Sequence, residues 1–207
     1  MDKYEKFIGE YFGTTFNVLH EIVSPDIHLD ILVFSPTKER NYYTLITMGM
    51  SGYKMNVPKE LENKDMDRAE LIMFLPPDWN INSKDEKDYW PINQMKRIAR
   101  LPIYAKTWLG LGHTTANDEN NTPFSDNTQL SSIILLSIFN KKLDLNGIGK
   151  INFYTLVPLY EEELNYKFKN GFEKLMNLFV NNNMPLPPVI DINRKNFAKE
   201  DNVKNAD

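Results

Sequence analysis

The 207-residue chain holds three histidines, His20, His28 and His113, and no cysteine. Without cysteine there are no disulfide frameworks, thiolate nucleophiles or thiolate-ligated zinc. Imidazole and carboxylate chemistry is left. Ser24-Pro25-Asp26 supplies turn chemistry. If Pro25 and Asp26 form the tip of a two-residue hairpin, Val23 faces His28 and Glu21 faces Asp30. Glu21, His28 and Asp30 then share one sheet face, and His20 points the other way. One imidazole beside two carboxylates is enough to bind a metal or relay a proton. The preferred reading of the same three residues is the hydrated face of a sheet that buries Ile27, Leu29, Ile31 and Val33 behind it, because no second histidine stands at ligand spacing. His113, between Gly112 and Thr114-Thr115, has no visible nucleophile to activate and is expected to anchor the loop that follows.

Gly110 and Gly112 make a GxG with no third glycine at dinucleotide spacing, and GxxxxGK[ST] and GxSxG patterns are absent. The expectation is therefore no catalytic centre, no metal and no cofactor. An enzyme, metal-dependent or acid–base, would have to be built on Glu21, His28, Asp30 or His113. Pairs such as Glu60/Glu62 and Glu161/Glu162/Glu163 read as solvated charges. Asp118, Glu119 and Asp126 differ, because they fall in an Asn-rich loop that offers acceptors to a basic partner surface. Tyr53, beside a Gly-Met-Ser turn, is the aromatic candidate for a partner contact, against the plain alternative of sheet packing. Trp79, Trp90 and Trp108 bracket a central helix and are expected in the core, each with one satisfied N–H.

The elements that would position these residues follow from periodicity. Tyr4, Phe7, Ile8, Tyr11 and Phe12 recur at helical spacing up to Gly13. Strand-like segments follow at 14–23, 27–34, 42–50 and 69–75, with turns at Ser24-Pro25-Asp26 and Ser35-Pro36-Thr37-Lys38. In the second of these, Ile27, Leu29, Ile31 and Val33 alternate with His28, Asp30, Leu32 and Phe34, the period of a half-buried strand. Pro91 is placed at the first turn of a helix whose apolar face is Ile92, Met95, Ile98 and Ala99, interrupted at Pro102. Residues 114–128 read as a long polar loop, functional or mobile rather than architectural. Strands at 131–139 and 151–159, joined through Asn146-Gly147, precede a helix over 160–180 with an apolar stripe of Leu164, Phe168, Phe172, Leu175, Met176 and Phe179. The reading is a single α+β domain over 1–196, with a mostly antiparallel sheet flanked by helices, and a charged, frayed tail at 197–207.

Lys+Arg number 24 against 28 Asp+Glu, a formal net charge of -4, which argues against direct nucleic-acid binding. The first twelve residues carry Asp2, Lys3, Glu5, Lys6 and Glu10, with no apolar run of signal-peptide length, and the run at Ile133–Leu136 is too short to span a bilayer. A cytoplasmic location, with no membrane partner, is the expectation.

Five segments, in order, resemble the suppressor-of-fused family: SPDIHLDILVFSPTKERNYYTLITMGMSGYKM at 24–55, RAELIMFLPPDW at 68–79, WPINQMKRIARLP at 90–102, WLGLGHTTAN at 108–117 and PPVIDINRKN at 187–196. The resemblance implies a compact α+β domain that binds proteins and has no established catalytic residues. It implies either of two partners: a transcription factor held by a sequestering regulator, as in animals, or a cognate toxin, often a nuclease encoded nearby, neutralised by a bacterial antitoxin or immunity protein. The chain matches the N-terminal domain of the animal regulators without a second domain, and its Asn- and Lys-rich composition favours the bacterial reading. Tyr53, Asp118, Glu119 and Asp126 are then the candidate partner-binding residues.

Overall fold

In the computed structural model, residues 3–145, 147 and 149–199 are described. Helix α1 (Lys3–Phe12) leads into β1 (Asn17–Leu19), β2 (Asp30–Phe34), β3 (Tyr43–Met48) and β4 (Ala69–Leu75). Helix α2 (Glu86–Tyr104) is followed by β5 (Thr114–Ala116), β6 (Leu130–Leu136), β7 (Lys142–Leu145) and β8 (Gly149–Tyr160), and then by α3 (Glu161–Asn170) and α4 (Phe172–Asn181). One sheet runs β1-β2-β3-β4-β8-β6-β5, with β7 beside the first half of β8. Every pairing is antiparallel except β4 with β8. The α+β, mostly antiparallel domain expected from the sequence is thus the observed one.

The sheet is covered on both faces. Leu29, Ile31, Val33, Leu71, Met73, Ile133, Leu135 and Leu156 pack with Trp90, Met95 and Ile98 of α2. Alternate residues turn to the opposite face. There Leu32, Phe34, Ile72, Phe74 and Phe153 meet Tyr4 and Ile8 of α1, and Ile134, Val157 and Leu159 meet Leu164, Leu175 and Phe179 of α3 and α4. The expected half-buried β2 is corrected by this: all five of its residues are buried, and the period-2 pattern marked two apolar layers rather than an inside and an outside. No helix among the described residues is long and apolar enough to cross a membrane.

Other boundaries also moved. The segment expected as a strand over 14–23 pairs only at Asn17–Leu19, because the following residues leave the ladder for side-chain bonds. β7 has no counterpart in the sequence pattern; Lys142–Leu145 folds back on Gly149–Asn152, so the chain between β6 and β8 makes its own hairpin. Asn146, placed at this turn by the sequence, lies outside the described residues. The single helix expected over 160–180 is two helices broken at Gly171 (φ 92°), a conformation that favours glycine. Phe168 consequently faces solvent, 68% exposed, instead of joining the stripe. Pro91 lies inside α2 rather than at its first turn, since the helix starts earlier, where Asp85 caps the Lys87 N–H. Phe197, expected in the tail, is buried and packs edge-on against Phe179 at 5.9 Å.

Arg100, on α2, ties this frame to the connection between β1 and β2. Its Nη2 donates to both oxygens of Glu21 at 2.6 Å, and its Nε donates to Asp26 Oδ1 at 3.0 Å. Burial alone would raise both carboxyls. The bonds from Arg100, with Ser24 and the Leu29 N–H on Glu21 and with Tyr104 and the Ile27 N–H on Asp26, outweigh it and hold both below their ordinary values. A carboxyl depressed in the folded state contributes stability that is present above its unfolded pKa and lost as pH falls through the folded one. Arg100→Met is expected to cost roughly 2 kcal/mol or more at pH 7 in urea unfolding. The gap between variant and wild type should narrow as pH falls below the ordinary carboxylate range; an equal gap at pH 7 and pH 3 would refute the assignment.

Candidate functional site: an acidic face around an anchored loop

The Asn-rich segment after α2 is neither structureless nor free. Its first three residues are β5, paired with β6. Beyond it, Asn117 is gripped on both sides: Gln94 Nε2 donates to its Oδ1 at 3.0 Å, and its own Nδ2 donates to the Thr122 carbonyl at 3.1 Å. Asp118 folds the loop tip, accepting from the Asn120 N–H, the Thr122 N–H and the Thr122 hydroxyl. Those bonds outweigh its slight desolvation and lower its carboxyl pKa. Phe124 lies flat on Trp90, with centroids 4.9 Å apart and planes at 9°. Thr128 accepts from the Leu130 N–H and donates to the carbonyl of Ile192, in the C-terminal strap, the irregular chain over 182–199 that follows α4. Asn127 Nδ2 donates to the Lys87 carbonyl at 3.3 Å. In an uninterrupted helix that oxygen would accept from residue 91, which is proline and has no N–H. The proline inside α2 thus frees an acceptor that the loop uses.

Three hollows adjoin this loop. One, about 490 Å³, lies between Asn121, Pro123 and Gln129 and the start of α3, with Glu161, Glu162, Lys195 and Lys199 in its wall. The second, about 430 Å³, is lined by Glu86, Asp126 and loop residues. The third, about 390 Å³, carries Asp78, Asp88 and Asp191 beside Trp79. Pro123 and Gln129 are common to the first two, and Asp126 and Asn127 join the second to the third. Seven carboxylates face two lysines across this surface. Like charges gathered on a fixed, concave surface focus a negative potential outward.

Among the sequence candidates, Asp126 lies in this surface and Glu119 is exposed on the same loop. Asp118 is exposed but spends its carboxylate on the loop itself. Tyr53 lines none of the three hollows. It is half-buried against the core, after a turn at Met50–Gly52 whose Gly49 and Ser51 N–H groups donate to the fully buried Glu70. Asp78, Glu86, Asp88, Glu161, Glu162 and Asp191 are not recognisable as site residues from sequence, since they come from four separate stretches of chain that only the fold brings together. The one signal in the sequence is the pairing of acids at 161/162 in a first helical turn, which reads as dipole compensation.

The imidazole–carboxylate group is also rearranged. Leu19 faces Ile31, so the next position sets His20, not Glu21, beside Asp30. His20 Nδ1 is 3.0 Å from Asp30 Oδ2, and His28 Nε2 is 3.2 Å from Oδ1. This one-residue shift overturns the expectation that His20 points away, and it frees Glu21 for Arg100. Burial alone would raise the Asp30 carboxyl; the Glu21 N–H and the two imidazoles outweigh it and lower it. His113 stands apart, edge-on to Trp108 at 4.3 Å, with burial pushing its imidazole down. Among the described residues no group of three or more His, Asp or Glu side chains is placed to hold a metal ion.

Residues 25–195 match the family model for suppressor of fused protein. The chain belongs to the suppressor of fused family. Suppressor of fused domains often mediate binding between proteins. The chain is 26% identical over 183 residues to an uncharacterized protein of Ureaplasma parvum serovar 3, covering 87% of this chain and 84% of that one. Its fold is similar to a protein described as a suppressor of fused homolog from Neisseria gonorrhoeae, with a TM-score of 0.66, 12% identity and 96% of each chain covered. It is also similar to a chain of the Sufu–Fu complex, with a TM-score of 0.68, 13% identity, and 93% of this chain and 89% of that one covered. Drosophila Suppressor of Fused matches over 98% of this chain with a TM-score of 0.69 and 13% identity, and the match spans 52% of the Drosophila chain.

The loop's order should depend on its buried ring. Phe124→Ala is expected to lower unfolding free energy by roughly 3 kcal/mol and to speed amide hydrogen exchange across 117–128 while leaving β4 and β8 protected. Unchanged exchange in the loop would show that Phe124 is not its anchor.

Proposed function

We propose that this suppressor of fused domain is a protein-binding inhibitor, an antitoxin or immunity protein that neutralises a cognate toxin in the cytoplasm, and that the toxin is a nuclease seated on the acidic face. The observation that carries the reading is the set of seven carboxylates around the anchored loop. Nucleases are commonly basic where they grip phosphate, so an anionic inhibitor attracts the surface it must cover and gains a steered, fast encounter. Steering does not by itself hold a complex. The affinity has to come from a few desolvated anchors within the hollows. Trp79, half-buried beside Asp78 and Asp88, is such an anchor, and Tyr53 is a further aromatic contact outside the hollows.

Co-expression with the product of the adjacent reading frame in a heterologous host tests the role. The expected outcome is restored growth and co-purification; a toxic product that is neither neutralised nor retained ends the antitoxin reading. Charge reversal tests the surface. Glu119, Asp126 and Glu86 are the positions to change, since replacing Asp118 would also unpin the loop. The triple lysine variant should associate about tenfold more slowly or worse at low ionic strength, with a flattened salt dependence. Unchanged association kinetics would remove this face from the interface, and an unchanged affinity for Tyr53→Ala would remove Tyr53.

A further inference from the structure

Eight large apolar or aromatic side chains are exposed among the described residues, and five of them gather in two places. One is a prong on the connection between β1 and β2, where Ile22 is 97% and Val23 78% exposed. The prong is held from behind. Glu21, on one side of the pair, accepts from Arg100 Nη2 and the Leu29 N–H, and its own N–H donates to Asp30 Oδ1. Ser24, on the other side, donates to Glu21 Oε2 at 2.9 Å. Both ends of the apolar pair are tied down before any contact, so seating it elsewhere costs little further ordering. The second place is a groove of about 290 Å³ between the end of β6, α4 and the strap. Leu111, Val180 and Leu186 are exposed along it, Ile138, Phe172 and Met176 complete its wall, and none of its lining residues is charged. It differs in kind from the three acid-walled hollows: it suits an apolar side chain, not a cation. The chain does not fill its own groove. The sheet order sets β2 and β6 four strand spacings apart, about 19 Å, and Arg100 pins the prong at the far edge.

We propose that the prong of one copy seats in the groove of a second copy, so that the chain self-associates. Charge selects this pairing among the possible ones. The prong stands over Glu21, Asp26 and Asp30 against the single Arg100. The stretches that wall the groove, 136–142 and α4, carry exposed Lys141, Lys142 and Lys174 against Glu173. Prong against prong would bring like charges together, and groove against groove would leave both hollows unfilled; prong in groove joins opposite charges around an apolar centre. β2 begins beside the prong and β6 ends beside the groove, and the strand pairings put both at the same end of the sheet. A two-fold pair of copies makes the contact twice. The acidic face lies at the other end, where β6 begins and β8 ends, and it stays open in such a pair. The inference therefore does not depend on what the acidic face binds.

Sedimentation equilibrium of the whole chain, from about 10 μM to about 1 mM, tests it and should report a monomer–dimer equilibrium. Ile22→Ser with Val23→Ser, and separately Val180→Ser with Leu186→Ser, should each weaken dimerisation about tenfold or more. All four side chains are exposed, so circular dichroism and the unfolding midpoint of each variant should match wild type. The two variants are then mixed, one of them carrying a fluorescent label. A mixed pair keeps one intact prong facing one intact groove. Substitutions in direct contact do not add, so the mixed association constant should exceed the geometric mean of the two variants' own constants by about fivefold or more. A chain that stays monomeric throughout overturns the proposal and leaves prong and groove to a different protein. A dimer indifferent to either pair of substitutions overturns it, and so does a mixed constant equal to that mean.

Discussion

A sheet buried on both faces has no face left to offer a partner, and that constraint shapes the rest of this molecule. The inner strands β4, β6 and β8 are almost wholly enclosed, with α2 on one side and α1, α3 and α4 on the other. The surfaces that remain accessible are strand ends, edges and the loops that cross them. The acidic face is built there. β8 ends at Tyr160, where α3 begins; β6 begins at Leu130, where the anchored loop ends; and α2 begins at Glu86 beside both. Three element ends converge, and each supplies carboxylates without disturbing a packed layer.

Two arginines fasten the segments that the layers do not. Arg100 holds the β1–β2 connection, and Arg194 holds the C-terminal strap. Arg194 bonds both oxygens of Glu163, which is fully buried, donates to the Pro158 carbonyl, and lies over the rings of Tyr160 and Phe197. Glu163 accepts as well from the Tyr160 and Phe197 N–H groups. A buried carboxylate that loses one of these partners keeps its desolvation cost, so the pair ties the strap to α3 more by the penalty for separation than by net attraction. The strap in turn brings Asp191 and Lys195 to the acidic face and receives the Thr128 hydroxyl from the loop.

What the sequence made legible follows the range of each signal. Periodicity is local, so α1, β3, β4 and the apolar stripe within α4 were readable. Register is not local. The hairpin drawn through Pro25 and Asp26 missed by one residue, and in a strand one residue exchanges His20 for Glu21. Arg100, which decides that connection, lies 74 residues from Asp26 and carries no mark in the sequence. Pro91 was legible as helix punctuation but not as the source of a free Lys87 carbonyl, because the acceptor's use depends on Asn127 arriving from the other side of the loop. Asp126 was legible because it sits in a compositionally odd segment. Asp78, Asp88 and Asp191 were not, since each is an ordinary surface acid until the fold sets them around one hollow.

The charge distribution says more than the total. Seven carboxylates against two lysines make this surface more negative than the whole chain's formal net charge of -4, so the rest of the sequence carries no net negative charge. A molecule whose negative charge is gathered on one face has a dipole, and a dipole orients a cationic partner before contact as well as attracting it. That orientation acts over about a Debye length, roughly 8 Å at physiological ionic strength. Inside that distance the field gives way to shape, and the anchored loop matters for a second reason. Its bonds to Gln94, Lys87 and Ile192 and its stacking on Trp90 fix the carboxylates before a partner arrives. A mobile loop of the same composition would attract equally well at long range, then surrender part of the gain to ordering on contact.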